Sequence, residues 1–323
     1  MQAVETIDVG GEQAQYFGWV PPESRTREET TRHEATMASM PAFQLQGTFR
    51  GDKRKVGLYE ARQKLGKTQH PAYINQSTGS CVGAGGGNAV MTLRDVEIVL
   101  GGKLAEPEMV WWLYTYGESR ELSGMRSRGD GSTGSGYAKA ITTKGIFAAS
   151  EPGLPQFENR AGWFYLSPSI ERQWSDGQVE PGKWDPVASK HLVKTAAPCR
   201  TAEAVATAIQ NGYPCTVACM FGTSGQKRLG EGDNAVMVSE WDGSWAHQQF
   251  IDAWWDHPSL GELFRIGNNW GPSAHSPAVD GSPNGGYWVR KSVMQRMCQG
   301  DEVFALSAFN GFPARELDWS SIL

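Results

Sequence analysis

Three residues of this chain have the types, order and neighbours needed to cleave an acyl bond: Cys81, His247 and Asn268. Cys81 closes the stretch Asn75-Gln76-Ser77-Thr78-Gly79-Ser80-Cys81, just where helical spacing begins. At a helix N-terminus, unpaired backbone N–H groups and the helix dipole favour an anion, so a thiol there loses its proton more readily. The thiolate then needs an imidazole to take and return its proton, and His247, after Trp245-Ala246, stands at the head of an apolar run. An imidazole in turn needs an acceptor on its second nitrogen to fix tautomer and direction. Asn268, opening Asn268-Asn269-Trp270-Gly271, offers an amide oxygen, with Trp270 beside it to exclude water. The spacings are 166 residues from Cys81 to His247 and 21 from His247 to Asn268. Cys199, Cys215, Cys219 and Cys298 read as small packing residues, the usual fate of a free cysteine.

The elements that must position these groups change along the chain. Apolar spacing predicts a helix over 81–100, with Val82, Val90, Leu93 and Val96 roughly on one face and Gly101-Gly102 as its stop. A second helix is expected from Pro107, carrying Met109, Trp112, Leu113 and Tyr116, and a third over 136–143, ended by Gly145. Residues 150–195 read as irregular. Thr201 caps a helix to Gln210, and strands are expected at 215–219, 249–254, 263–266, 286–290 and 303–309. Helices first and strands later imply an α+β design of two lobes with a cleft between them, not a βαβ winding.

Composition narrows the class. Thirty Lys and Arg stand against 35 Asp and Glu, a net charge of −5, which excludes a chain built for electrostatic capture of nucleic acid. No apolar run is long enough to span a membrane, and residues 1–20 lack the apolar core of a secretory signal. Five cysteines, an odd and sparse set, argue against a disulfide framework and for a reducing compartment such as the cytoplasm. Residues 1–50 read as a polar arm: Pro21-Pro22 precedes twelve residues, Glu23 to Glu34, of which seven are charged and none sets an apolar period.

Taken together, these motifs resemble the papain-like cysteine peptidases. Gln76 with Gly79-Ser80-Cys81 is similar to the family's segment holding the oxyanion glutamine and the nucleophile, and His247 to its catalytic histidine. Asn268-Asn269-Trp270-Gly271 resembles the family's Asn-Ser-Trp-Gly, which implies Asn268 as the orienting residue and Trp270 as its shield. Asp130-Gly131-Ser132 is similar to the glycine segment that pairs with bound peptide, so Gly131, Ser132 and Trp270 are the implied cleft residues; Asn284-Gly285-Gly286-Tyr287-Trp288 resembles the closing strand. Leu58-Tyr59-Glu60-Ala61, Asn211-Gly212-Tyr213-Pro214 and Gly311-Phe312-Pro313-Ala314 bring the chain closest to a branch in bacteriophages and some bacteria, the likeness running to Trp319. The resemblance implies a papain-like domain over 51–323, with a helical lobe at about 75–195 and a β-rich lobe at about 196–311. Gln76 lies five residues before Cys81, one fewer than the family pattern, and Asn75 holds the usual offset, so either side chain could be the oxyanion donor, beside the Cys81 N–H. Val82 replaces the usual aromatic, and each glycine of Gly85-Gly86-Gly87 costs the helix about 1 kcal/mol unless a neighbour packs close against it.

Other signals carry less. Gly83 to Gly87 lacks the Gly-Lys-Ser/Thr of a phosphate loop. His33, His70, His191, His257 and His275 are scattered singly and read as surface or packing residues, not zinc ligands. Asp252, Asp256 and Asp280 read as solvated or capping carboxylates, Arg128-Gly129-Asp130 as a chance loop tripeptide, and Trp111-Trp112 and Trp254-Trp255 as core or cleft-wall aromatics. The expected function is a cysteine peptidase acting on a peptide or protein substrate through an acyl-enzyme, with no metal or organic cofactor and no nucleic-acid or membrane partner. Two alternatives stand beside it. One is a virion structural or assembly protein of the same fold, meeting other phage proteins through residues 1–50; the other is a cell-wall endopeptidase.

Overall fold

The computed structural model describes residues 6–9, 12–15, 18–47, 54–65, 73–101, 107–126, 128–175, 180–220, 223–243, 245–300 and 302–317. His70, Gly102 and Trp319 lie outside them. The helix Cys81–Gly101 runs through the middle of the molecule and is buried on nearly every side. A helix apolar all round must have neighbours all round. Tyr116 and Trp112 press on Gly83, the backbone of Gln248 on Gly85, the Tyr137 ring on Gly86, and Ile74 and Trp112 on Gly87. The run of glycines that weakens the isolated helix is what lets these groups approach.

One side of this helix is covered by helices Trp112–Leu122 and Gly134–Thr143, the latter capped by the Thr133 hydroxyl, which accepts from Gly136 N. Its other side meets a sheet of nine strands. In order these are Thr223–Leu229, Val236–Trp241, Gly286–Arg290, Gly261–Gly267, Ala246–His257, Cys215–Met220, Val303–Ser307 and Thr195–Pro198, with Lys55–Gly57 also pairing to Ala246–His257. Every pairing is antiparallel except that of Val236–Trp241 with Gly286–Arg290. The described residues bury three clusters: an aromatic-rich one among the helices, a largely aliphatic one against the sheet, and a smaller one around Tyr59, Trp255 and Trp288. This is the α+β arrangement the sequence implies.

Several elements differ from expectation. The second helix starts at Trp112, not Pro107, because residues 109–111 pair as extended chain with 147–149: Trp111 N donates to Phe147 O and Ala149 N to Met109 O, each at 2.7 Å. Regular elements occur where 150–195 reads as irregular: Glu158–Arg160 and Trp163–Tyr165 form a hairpin through Ala161-Gly162, both at positive φ, and helices occupy Pro168–Ser175 and Pro181–Ala188. Arg27–Ser39, in the polar arm, is a helix whose start is fixed by a capping box between Thr26 and Glu29. It has no apolar stripe because, Met37 apart, it docks by polar contacts: His33 Nδ1 lies 2.7 Å from Ser135 Oγ, and Arg128 meets the buried Glu29 carboxylate at 2.6 Å.

Candidate active site

Cys81 is the first residue of its helix, and the strand Ala246–His257 begins beside it. The Gln248 N–H donates to Cys81 Sγ at 3.3 Å, and the Gln248 side-chain amide donates to Val82 O at 3.0 Å, so the strand carrying His247 is fastened to the first turn of the Cys81 helix. His247 Nε2 lies 2.8 Å from Asn268 Oδ1, and the Trp270 ring stacks on the imidazole with centroids 4.3 Å apart and planes 28° apart. Cys81, His247, Asn268 and Trp270 are all buried. The structure therefore brings together residues separated by up to 189 positions in the chain.

The turn before Cys81 is held from several directions. Glu171, fully buried, accepts from Ser77 N, Thr78 N, Thr78 Oγ1 and Ser80 Oγ at 2.7 to 3.0 Å. Burial pushes its carboxyl up to about 7 even against these four donors. Asp130 Oδ2 accepts from Gly79 N at 3.2 Å, which gives the tripeptide Arg128-Gly129-Asp130 two structural roles, one at this turn and one against Glu29. The Tyr116 hydroxyl donates to Gly79 O at 3.0 Å and accepts from Gly131 N at 2.8 Å, tying the turn to the opposite wall. That wall is shaped by buried Arg120, whose guanidinium donates to the carbonyls of Met125, Arg128, Gly129, Gly131 and Ser175.

Gln76 is worked into the same turn: its Nε2 donates to Thr78 O at 2.8 Å and its Oε1 accepts from Asn269 Nδ2. Asn75 ends the short strand Tyr73–Asn75. Asp252 departs from the solvated role: it is buried and receives both its hydrogen bonds from one Arg265 nitrogen, at 2.8 and 2.7 Å. Asp280 pairs with Lys55 at 3.0 Å. His275, read as a surface or packing residue, is buried with Nε2 2.7 Å from Asn268 Nδ2. Among the described residues no cluster of three or more His, Cys, Asp or Glu side chains could hold a metal, and no helix is long and apolar enough to cross a membrane.

The arm lies over this group. Ser132 N donates to Gly18 O and Val20 N to Ser132 O, both at 2.9 Å, a parallel pairing on the segment expected to bind peptide. Gly18 rests so closely on the nucleophile's turn that a Cβ there would sit 2.1 Å from Gly79 O and 2.8 Å from Cys81 N. Trp19 Nε1 donates to the buried Glu302 carboxylate at 3.0 Å; Gly134 N donates to the same oxygen, and Arg25 meets the other. With the site covered, burial pushes the Cys81 thiol up to about 12, and the N–H groups of Gln248, Gly18, Val82 and Trp19 offset only part of that.

Compared with protein-family models the chain matches none, and no curated protein matches it by sequence. Solved structures do match. Xylellain, a cysteine protease from Xylella fastidiosa, superposes with a TM-score of 0.52 at 13% identity, over 90% of this chain and 91% of that one. The procathepsin B S9 of Trypanosoma congolense superposes with a TM-score of 0.53 at 8% identity, over 88% and 89%. The fold is that of the papain-like cysteine proteases. At such identities the likeness extends to the papain-like fold, and the site has to be judged on its own atoms.

Proposed function

We propose that the chain is a cysteine peptidase that cleaves peptide bonds through Cys81, His247 and Asn268 and is kept latent by its own arm. The observation that carries this reading is the hydrogen bond of His247 to Asn268, roofed by Trp270 and set beside a cysteine at a helix N-terminus. With Nε2 committed to Asn268, Nδ1 is the ring nitrogen that serves the thiol. Once the arm leaves, water and the helix dipole favour the thiolate, and Cys81 Sγ attacks the substrate carbonyl. The oxyanion is stabilised by the Cys81 N–H and by an amide of the preceding turn, Gln76 or Asn75. The S–C bond forms, the C–N bond breaks, and His247 delivers its proton to the leaving amine. Water then attacks the thioester, giving the acid and the restored thiol. The Gly131–Ser132 backbone, paired with the arm in the latent chain, is free to pair with an extended peptide in its place.

Labelling with a thiol-directed epoxide, mapped by mass spectrometry, tests the reading. Cys81 in the full chain is expected to react slowly, and Gly18→Val, which cannot keep the arm against Gly79, to react fast and selectively at Cys81 and to hydrolyse peptides. His247→Ala in that background should lose both. Equal slow labelling of all five cysteines in Gly18→Val would sink the peptidase reading and leave the virion-assembly alternative.

A further inference from the structure

The amide of Asn268 has three polar neighbours whose roles can be deduced in sequence. Asn269 N lies 2.8 Å from one amide atom, and a backbone N–H can only donate, so that atom is the oxygen. The same oxygen is 2.8 Å from His247 Nε2, which must therefore carry its proton. The other amide atom is Nδ2, which can only donate, and it lies 2.7 Å from His275 Nε2. That nitrogen must then present its lone pair, which makes His275 neutral with its proton on Nδ1.

The surroundings hold His275 in this state. Its ring lies between Trp270, with planes 30° apart and centroids 6.4 Å apart, and the edge of Tyr287, with centroids 4.8 Å apart. Burial drives the His275 ring down to about 3, and the electrostatic influence of His247 and Arg265 pushes the same way. Were Nε2 of His275 to carry a proton, two donors would meet and the Asn268 amide would have to turn over. Its NH2 would then oppose Asn269 N–H and His247 Nε2–H, so one contact made good would break two.

We propose that His275 is a positioning residue of the catalytic group: its neutral Nε2, acting with the Asn269 N–H on the other side of the amide, locks Asn268 and through it selects the His247 tautomer that turns Nδ1 to Cys81. The inference rests on the peptidase reading for its purpose, but not for its geometry. It adds a fourth member behind the three residues the sequence singles out, one that touches neither substrate nor thiol.

The experiment is ¹⁵N NMR of imidazole-labelled full-length chain at neutral pH, with His275→Leu and His275→Gln beside it. In the unmodified chain His275 is expected as the Nδ1–H tautomer and His247 as the Nε2–H tautomer. His275→Leu should leave His247 as a tautomer mixture, whereas His275→Gln, whose Oε1 can accept from Asn268 Nδ2, should restore the single form. In the uncovered Gly18→Val chain, His275→Leu should lower kcat about tenfold with KM within about twofold, and Gln should recover it, the size expected for one lost hydrogen bond. A proton on His275 Nε2 in the unmodified chain, or an unchanged His247 tautomer in His275→Leu, overturns the inference. If His275→Leu does not fold, the tautomers of the unmodified chain still decide. Lack of turnover in Gly18→Val strikes the peptidase reading and leaves the tautomer result standing.

Discussion

The Arg25 guanidinium meets the Glu302 carboxylate with both side chains sealed from water, at 1% and 0% exposure. Glu302 also receives Trp19 Nε1 and the N–H groups of Gly134 and Ser135 at the start of a helix, and His33 Nδ1 of the arm lies 3.7 Å from the oxygen that Arg25 meets. The arm thus supplies the guanidinium that neutralises a buried anion, and cutting that bond should loosen the arm. Breaking a buried ion pair by removing one partner costs about 3–5 kcal/mol. Arg25→Ala is therefore expected to raise the open fraction by at least about a hundredfold, read as the rate of Cys81 alkylation in the full chain. An unchanged rate would mean that the Gly18–Ser132 pairing alone holds the arm.

A second prediction concerns Gly85. Replacing a mid-helix glycine by alanine ordinarily stabilises a helix by about 1 kcal/mol. Here the new Cβ would stand 2.9 Å from Gln248 O and 3.2 Å from Gln249 Cα, and these are backbone atoms of the strand that carries His247. Overpacking against backbone costs about 1–3 kcal/mol, so the clash wins. Gly85→Ala should lower the urea midpoint at constant m-value, while moving His247 away from Cys81 and slowing alkylation of the uncovered thiol. A raised midpoint would contradict the close packing of this helix on the strand.

What the sequence makes legible follows from how local each signal is. Cys81, His247 and Asn268 each stand at the mouth of an element and beside a telling neighbour, so type and context expose them. The strands at 215–220 and 286–290 are legible because their apolar residues are bounded by turns. Glu171, Arg120 and Glu302 are not, because each is a single charged residue that sets no period: the partners of Arg120 lie 5 to 55 positions away, those of Glu171 91 to 94 and those of Glu302 167 to 283. His275 is hidden for another reason: seven residues after Asn268, in a loop, it belongs to no period. The helix Arg27–Ser39 escapes because hydrophobic spacing reports only faces that dock by apolar contact. Its signal was the capping box Thr26-x-x-Glu29, set within a run of charge.

The last prediction is a pH dependence rooted in Glu171. Its carboxyl sits at about 7 in the folded chain against an ordinary value of 4.5, because burial outweighs the donors of Ser77, Thr78 and Ser80. Between those two values the folded chain holds a proton that the unfolded chain has released. The stability this group contributes is therefore complete below pH 4.5, falls as pH rises, and is lost once pH passes about 7. The span amounts to about 3 kcal/mol. Glu171→Gln, neutral at every pH, cannot show it, although its amide also forfeits one acceptor for the backbone of the turn. The deficit of Glu171→Gln relative to the unmodified chain should therefore be larger at pH 5 than at pH 8 in urea unfolding. Parallel pH profiles for the two chains would show that Glu171 is already ionised at pH 5, with its four donors outweighing burial.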